Sequence, residues 1–201
     1  MNKGVRSFRD GKYDAAIDYF KTAIELDPDA PYAELYLATA YSQSFVPGAQ
    51  STDNQKFADD AIATFQKVLQ KDPNNVTAVT GLASIYQNTD QVQKAREMYL
   101  KNATMAPTDP TPHYAVGSVD WIIVFDKAAP PPPEEQSKLI EEGLTYLDKA
   151  LALNPDYEDA MTYKNLLYRE KARLSETPED QKQMIAQADE WFNKEIGRAH
   201  V

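Results

Sequence analysis

The stretch VTAVTGLASIYQNTDQVQKAREMYLKNATMAP, residues 76–107, decides the fold. It reads as two helices, over 75–87 and 92–105. In the first, Leu82-Ala83 is followed by Tyr86; in the second, Ala95 is followed by Tyr99 and Asn102. Steps of three and four place each set on one stripe of its helix. A small residue lets a neighbouring helix approach, and a bulky one a turn away fills the remaining space. Pro107 cannot continue the second helix and forces a turn, which allows the next helix to run back.

The same stripe recurs on both sides. Ala16, Phe20 and Ala23 carry it, as do Ala61, Phe65 and Val68, and then Gly143, Leu147 and Ala150. Each set ends at a proline, at Pro28, Pro73 and Pro155, and with Pro107 these prolines are separated by 45, 34 and 48 residues. The partner pattern precedes them: Leu37-Ala38 with Tyr41, and Val116-Gly117 with Asp120, where Trp121 is adjacent.

GKYDAAIDYFKTAIELDP (11–28), AELYLATAY (33–41), the 76–107 stretch and YLDKALALNP (146–155) together resemble the tetratricopeptide repeat family. Its units are helix–turn–helix pairs with a period of 34 residues. The resemblance implies an all-α, right-handed α-solenoid covering 1–195, with units of about 1–29, 30–74, 75–108, 109–156 and 157–195. Insertions then fall in the second and fourth units. The fifth unit is fainter, carried by Ala160-Met161, Tyr168, Ala188 and Phe192. Ten helices are expected, over 2–9, 13–26, 31–43, 54–71, 75–87, 92–105, 110–125, 134–152, 157–174 and 178–195. Pro31, Pro110 and Pro178 suit first helical positions, with caps at Asp109 and Thr177 and a capping-box partner at Asp180. Two departures stand out. Asp120 occupies a position where the family has an aromatic, so Trp121 is expected to supply the bulk in a re-phased unit. Asn102 replaces a small apolar residue.

The ends read as cut. Ile196–Val201 has no repeat periodicity and is similar to one reading frame of a sequencing adapter, so 196–201 is expected to be a non-native tail and His200 to carry no function.

Composition narrows the chemistry. Net charge is −10, which opposes binding to duplex nucleic acid or to an anionic membrane surface. No apolar run approaches the roughly 20 residues of a membrane span. Without cysteine there is no disulfide, thiolate zinc site or cysteine nucleophile, and His113 lies far from His200. No phosphate-loop, dinucleotide, metalloprotease or nucleophile-elbow motif occurs. Glu134-Glu135 and Glu141-Glu142 are adjacent pairs that diverge around a helix. His113 reads as a surface or capping residue. The expected function is therefore non-catalytic, with no cofactor and no metal. The compartment is left open between cytoplasm and periplasm or export.

In the family the first helix of each unit lines the concave groove. This implies Tyr32, Leu35, Tyr36, Thr39 and Gln43 in the second unit, and Thr77, Thr80, Ser84, Gln87 and Asn88 in the third. Tyr114, Ser118 and Trp121 follow in the fourth, then Thr162 and Tyr163 in the fifth. Aromatics and hydroxyls without dense charge suit a protein or peptide ligand held by stacking and backbone hydrogen bonds, with little salt dependence. Tyr36 and Tyr114 are the expected anchors. The Lys and Asn of the carboxylate clamp used by chaperone-binding members are missing from the first three units. The second expectation is a structural protein that stacks head-to-tail through open repeat ends, giving homo-oligomers. Ala128–Pro133 reads as a stiff spacer launching the next helix, with its insertion folded over the apolar Trp121–Phe125.

Overall fold

A computed structural model describes residues 1–30 and 32–198 of the 201. Among them the helices are α1 (Asn2–Arg9), α2 (Tyr13–Leu26), α3 (Ala33–Ser44), α4 (Thr52–Lys71) and α5 (Val76–Asn88). Then come α6 (Val92–Met105), α7 (Pro110–Phe125), α8 (Pro133–Leu153), α9 (Glu158–Arg173) and α10 (Pro178–Arg198). No strand occurs among the described residues. The chain divides into two compact units, Met1–Met98 and Tyr99 onward. In the first, α1 packs on α2, α2 on α3, α3 on α4 and α4 on α5, and α3 also meets α5. In the second, α7 packs on α8, α8 on α9 and α9 on α10, and α7 also meets α9.

The stripes form the core. Ala16 and Phe20, Ala61 and Phe65, and Leu147 and Ala150 are buried, as are Leu37, Ala38, Tyr41, Leu82, Ala83 and Tyr86. Helical glycines set the closest approaches. A Cβ on Gly81 would collide with the buried ring of Phe65, and one on Gly117 would strike the Leu147 side chain. Gly4 gives the same room to Phe20.

The residue before three of the four prolines ends its helix by a shared device. Asp27, Asp72 and Asn154 have φ near −147°, −133° and −136°, an extended backbone that the following proline favours. Their side-chain oxygens accept the backbone N–H two residues on, from Asp29, Asn74 and Asp156, each at 3.2 Å. That is the Asx turn. Helix starts agree with the expected caps at two sites. The Thr111 N–H donates to Asp109 Oδ1 at 2.9 Å, and Thr177 exchanges hydrogen bonds with Asp180.

The insertion in the second unit is tied by one residue. Val46–Ala49 is a type II turn with Pro47 second and Gly48 third at φ 80°. Buried Asn54 closes it: Val46 N–H donates to Asn54 Oδ1 at 2.7 Å, and Asn54 Nδ2 donates to the carbonyls of Val46 and Ala49, both at 2.9 Å. In the compact unit from Tyr99 onward, Lys164 is buried against Asp148 and the Trp191 ring, joining α8, α9 and α10.

Several expectations need correction. The start expected at Pro31 lies outside the described residues, and α3 begins at Ala33 behind Tyr32, whose φ is 64°. Asp120 keeps the core position, wholly buried with its Cβ facing Gly143, and Trp121 is half-buried outside it. A missing Cβ on α8 makes room for the carboxylate, so no re-phasing is needed. His113 is buried, not at the surface: its Nε2 lies 3.0 Å from Pro107 O and its ring stacks on Tyr146. The proline stretch launches α8, with Gln136 Nε2 donating to Pro131 O, but leaves Phe125 44% exposed. Helix α10 runs three residues past its expected end to Arg198. Ala199, His200 and Val201 lie outside the described residues.

Two outcomes are expected. Asn54→Ala should lower stability by about 2 kcal/mol, because it strips partners from three backbone groups, and should speed proteolysis within 45–51; an unshifted denaturant midpoint contradicts the tie. Ala95 is fully buried, so Ala95→Leu should overpack and cost about 1–3 kcal/mol, read from the same transition.

Candidate binding surface

Tyr114, Trp121 and Phe125 stand on one stripe of α7, separated by seven and four residues. Helix α9 contributes Tyr163, and Tyr157 sits at its N-cap. The five rings touch in sequence. Tyr114 meets Tyr157 at 4.9 Å between centroids and Tyr163 at 5.7 Å. Tyr163 meets Trp121 edge-on at 5.5 Å, and Trp121 stacks on Phe125 at 4.8 Å. All but Phe125 are half-buried, so each ring keeps some area for a ligand while its neighbours hold its rotamer. Rigid aromatic area costs little entropy when it is covered.

Two hydroxyls on this face, those of Tyr114 and Tyr157, are held in their protonated form. Burial pushes the Tyr114 phenol above its ordinary value, with smaller contributions from Tyr163, Asp159 and Tyr157. Tyr157 is raised by burial and by Asp159, against a hydrogen bond with Thr111 that lowers it. Both therefore offer donors at neutral pH.

The two ends of the ring ladder differ in charge. Beside Tyr157 and Tyr114 lie Asp109 at the start of α7 and Glu158 and Asp159 in the first turn of α9. All three are exposed, and none forms an ion pair among the described residues. At the other end a cavity of about 460 Å³ opens between Val124, Phe125, Asp126, Lys127, Pro130, Gln136, Glu170 and Arg173, where acidic and basic groups balance. Arg173 is already occupied, donating to Gln136 Oε1 at 2.6 Å and Glu170 Oε2 at 2.7 Å. Lys127 lies 5.2 Å above the Phe125 ring.

Of the residues expected to line a groove, the structure brings Tyr114, Trp121 and Tyr163 into contact. Ser118 is withdrawn from the site: it is buried, and its Oγ donates to Ala115 O in its own helix. Within Met1–Met98, Tyr36 is an inter-helix packing ring, 5.4 Å from Phe20 and 6.5 Å from Phe8, rather than a free anchor. The Thr39 hydroxyl donates to Leu35 O. Gln43, Thr80 and Ser84 are exposed and Gln87 half-exposed. Tyr32 is 69% exposed beside a cavity of about 260 Å³ that also touches Leu35, Val68 and Lys71. Left-handed backbone is costly for a bulky residue, and here it aims the ring outward.

Sequence reading missed Tyr157, Phe125 and the acidic end. Tyr157 follows the Asn-Pro-Asp turn, whose fixed geometry carries it next to α7; that turn was the available signal. No group of three metal-ligating side chains occurs among the described residues, and none of their helices is long and apolar enough to cross a membrane.

Comparison with known proteins agrees with this architecture. Family models described as tetratricopeptide repeat match residues 1–30 and 55–115. No curated protein matches in sequence. Among solved structures, MamA (residues 41 to the end) from Desulfovibrio magneticus RS-1 is similar over 98% of this chain and 90% of its own, at 19% identity and a TM-score of 0.70. A second MamA structure covers 98% of both chains at 18% identity and a TM-score of 0.68. YrrB, described as a TPR protein with an unusual peptide-binding site, is similar over 94% of this chain and 82% of its own, at 15% identity and a TM-score of 0.66. These likenesses give the fold, an α-solenoid of helix pairs. Tetratricopeptide repeat models thus match residues 1–30 and 55–115, and the helix-pair fold runs through the rest of the described chain.

Proposed function

We propose that this repeat protein is a non-catalytic interaction scaffold that holds an extended peptide segment against the ring ladder of α7 and α9. The observation that carries the reading is the unbroken contact series Tyr157–Tyr114–Tyr163–Trp121–Phe125. Stacking on fixed rings and hydrogen bonds to phenolic hydroxyls suit a peptide backbone. The YrrB likeness supports it only as a neighbour of the same fold with a peptide site of its own.

A second reading, association of copies, is favoured by one feature. Ile185, Phe192 and Ile196 form an exposed apolar stripe on α10 at steps of seven and four. Light scattering over a concentration series should show growth in mass that Phe192→Glu abolishes; a constant monomer mass removes this reading.

For the principal reading, the partner is recovered by pull-down with the full chain and its binding segment titrated. Affinity should be on the order of micromolar, and Tyr114→Ala or Trp121→Ala should each weaken it about tenfold without loss of helicity. Tyr36→Ala should instead lower the melting temperature and leave affinity intact. Wild-type binding by both Tyr114→Ala and Trp121→Ala would move the site elsewhere.

A further inference from the structure

The ladder is asymmetric, and its two ends ask for different side chains. We infer that the surface selects a peptide with a basic residue over the Asp109–Glu158–Asp159 end and an apolar residue in the cavity beside Phe125. This deepens the peptide-binding reading above and rests on it.

The acidic end is suited to a cation in two ways. Three exposed carboxylates have no cationic partner among the described residues, so a ligand ammonium or guanidinium meets uncompensated charge there. The tyrosine faces next to them, Tyr157 and Tyr114, supply cation–π attraction to the same group. The surrounding unit reinforces the sign: from Tyr99 onward the chain holds 18 acidic and 11 basic residues, against 13 and 10 before it. Arginine satisfies both demands best, because its planar head stacks on a ring while its donors reach a carboxylate.

The opposite end lacks that excess of negative charge. Lys127 and Arg173 line the cavity together with Asp126 and Glu170, and Arg173 is paired with Glu170, so the charges there balance. Its apolar walls are Val124, Phe125 and Pro130, and Phe125 stays 44% exposed although Trp121 stacks on it. A volume of about 460 Å³ accepts one large aliphatic or aromatic side chain with room to spare.

The helix sets the spacing. From Asp109 to Phe125 is sixteen positions along α7, about 24 Å at roughly 1.5 Å per residue. An extended peptide rises about 3.3 Å per residue, and an arginine side chain reaches back along it. The basic and apolar residues are therefore about five to seven positions apart. The dependence on carboxylates also replaces the salt insensitivity expected from sequence: affinity should fall as ionic strength rises, since these charges are exposed.

The test uses synthetic fluorescein-labelled nonapeptides of Gly, Ser and Tyr carrying one Arg and one Leu six residues apart, in both chain directions. Partner peptides replace Arg by Gln or by Glu, or set the pair at two residues. Anisotropy titration with the full chain should show the six-residue Arg–Leu peptide of one direction binding at least tenfold tighter than its Gln form. The Glu form and the two-residue spacing should be weaker still. The Asp109→Asn/Asp159→Asn double variant should erase the Arg preference while leaving the Gln peptide unchanged. Equal binding of Arg, Gln and Glu peptides, all abolished by Trp121→Ala, overturns this inference and keeps the ladder as a peptide site. Absence of binding by every peptide, together with a pulled-down partner indifferent to Tyr114→Ala and Trp121→Ala, overturns both.

Discussion

The fold depends on bulky side chains of one helix seated where the neighbouring helix has no Cβ. Phe65 occupies that position over Gly81, Leu147 over Gly117, Leu167 over Gly143 and Phe20 over Gly4. Glycine inside a helix costs up to about 1 kcal/mol relative to alanine. Here the closer packing offsets that cost by burying a whole ring or isobutyl group. The pairs fall in α1 with α2, α4 with α5, α7 with α8 and α8 with α9, so the same contact is rebuilt along the chain. The two halves of the repeat pattern, small residue and bulky residue, are the two sides of this one contact.

Close packing on one face of α7 leaves the other free to serve as a surface. Gly117 and Asp120 pack inward, and Tyr114, Trp121 and Phe125 emerge along a neighbouring stripe on which Ser118 alone is buried. Helix α9 repeats the division, with Met161 and Leu167 in the core and Tyr163 outside. A ligand over the rings therefore touches side chains whose positions are set by an interior it never meets. The insertion between α7 and α8 adds the cavity wall at Pro130. A bare 34-residue repeat has no segment to place there.

Helix boundaries and core were largely legible because they follow from local rules. The terminal proline and the three-four stripe are each visible within twenty residues, and α1, α2, α6 and α7 begin and end where they were expected. What escaped depends on contacts between distant segments. Tyr36 and Tyr114 look alike in sequence, yet Phe8 and Phe20 close over the first while Tyr157 and Tyr163 flank the second. Asn54 is one polar residue in a charged run, and its burial follows from a turn eight residues earlier. His113, expected at the surface or as a cap, and Asp120, expected to cede its place to Trp121, both lie inside, facing Pro107 and Gly143.

The central claim is that absence of a Cβ, rather than helix propensity, selects glycine at these crossings. A double-mutant cycle of Gly81→Ala with Phe65→Leu, beside Gly197→Ala as a control, tests it by denaturant unfolding. Gly197 is helical with nothing within 4 Å of its would-be Cβ, so alanine there should be neutral or stabilising by up to about 1 kcal/mol. At Gly81 the account predicts the opposite sign, a loss of about 1–3 kcal/mol, with part of it recovered when Phe65 is shortened. If Gly81→Ala stabilises like the control, or adds independently to Phe65→Leu, the interlock does not hold the helices together.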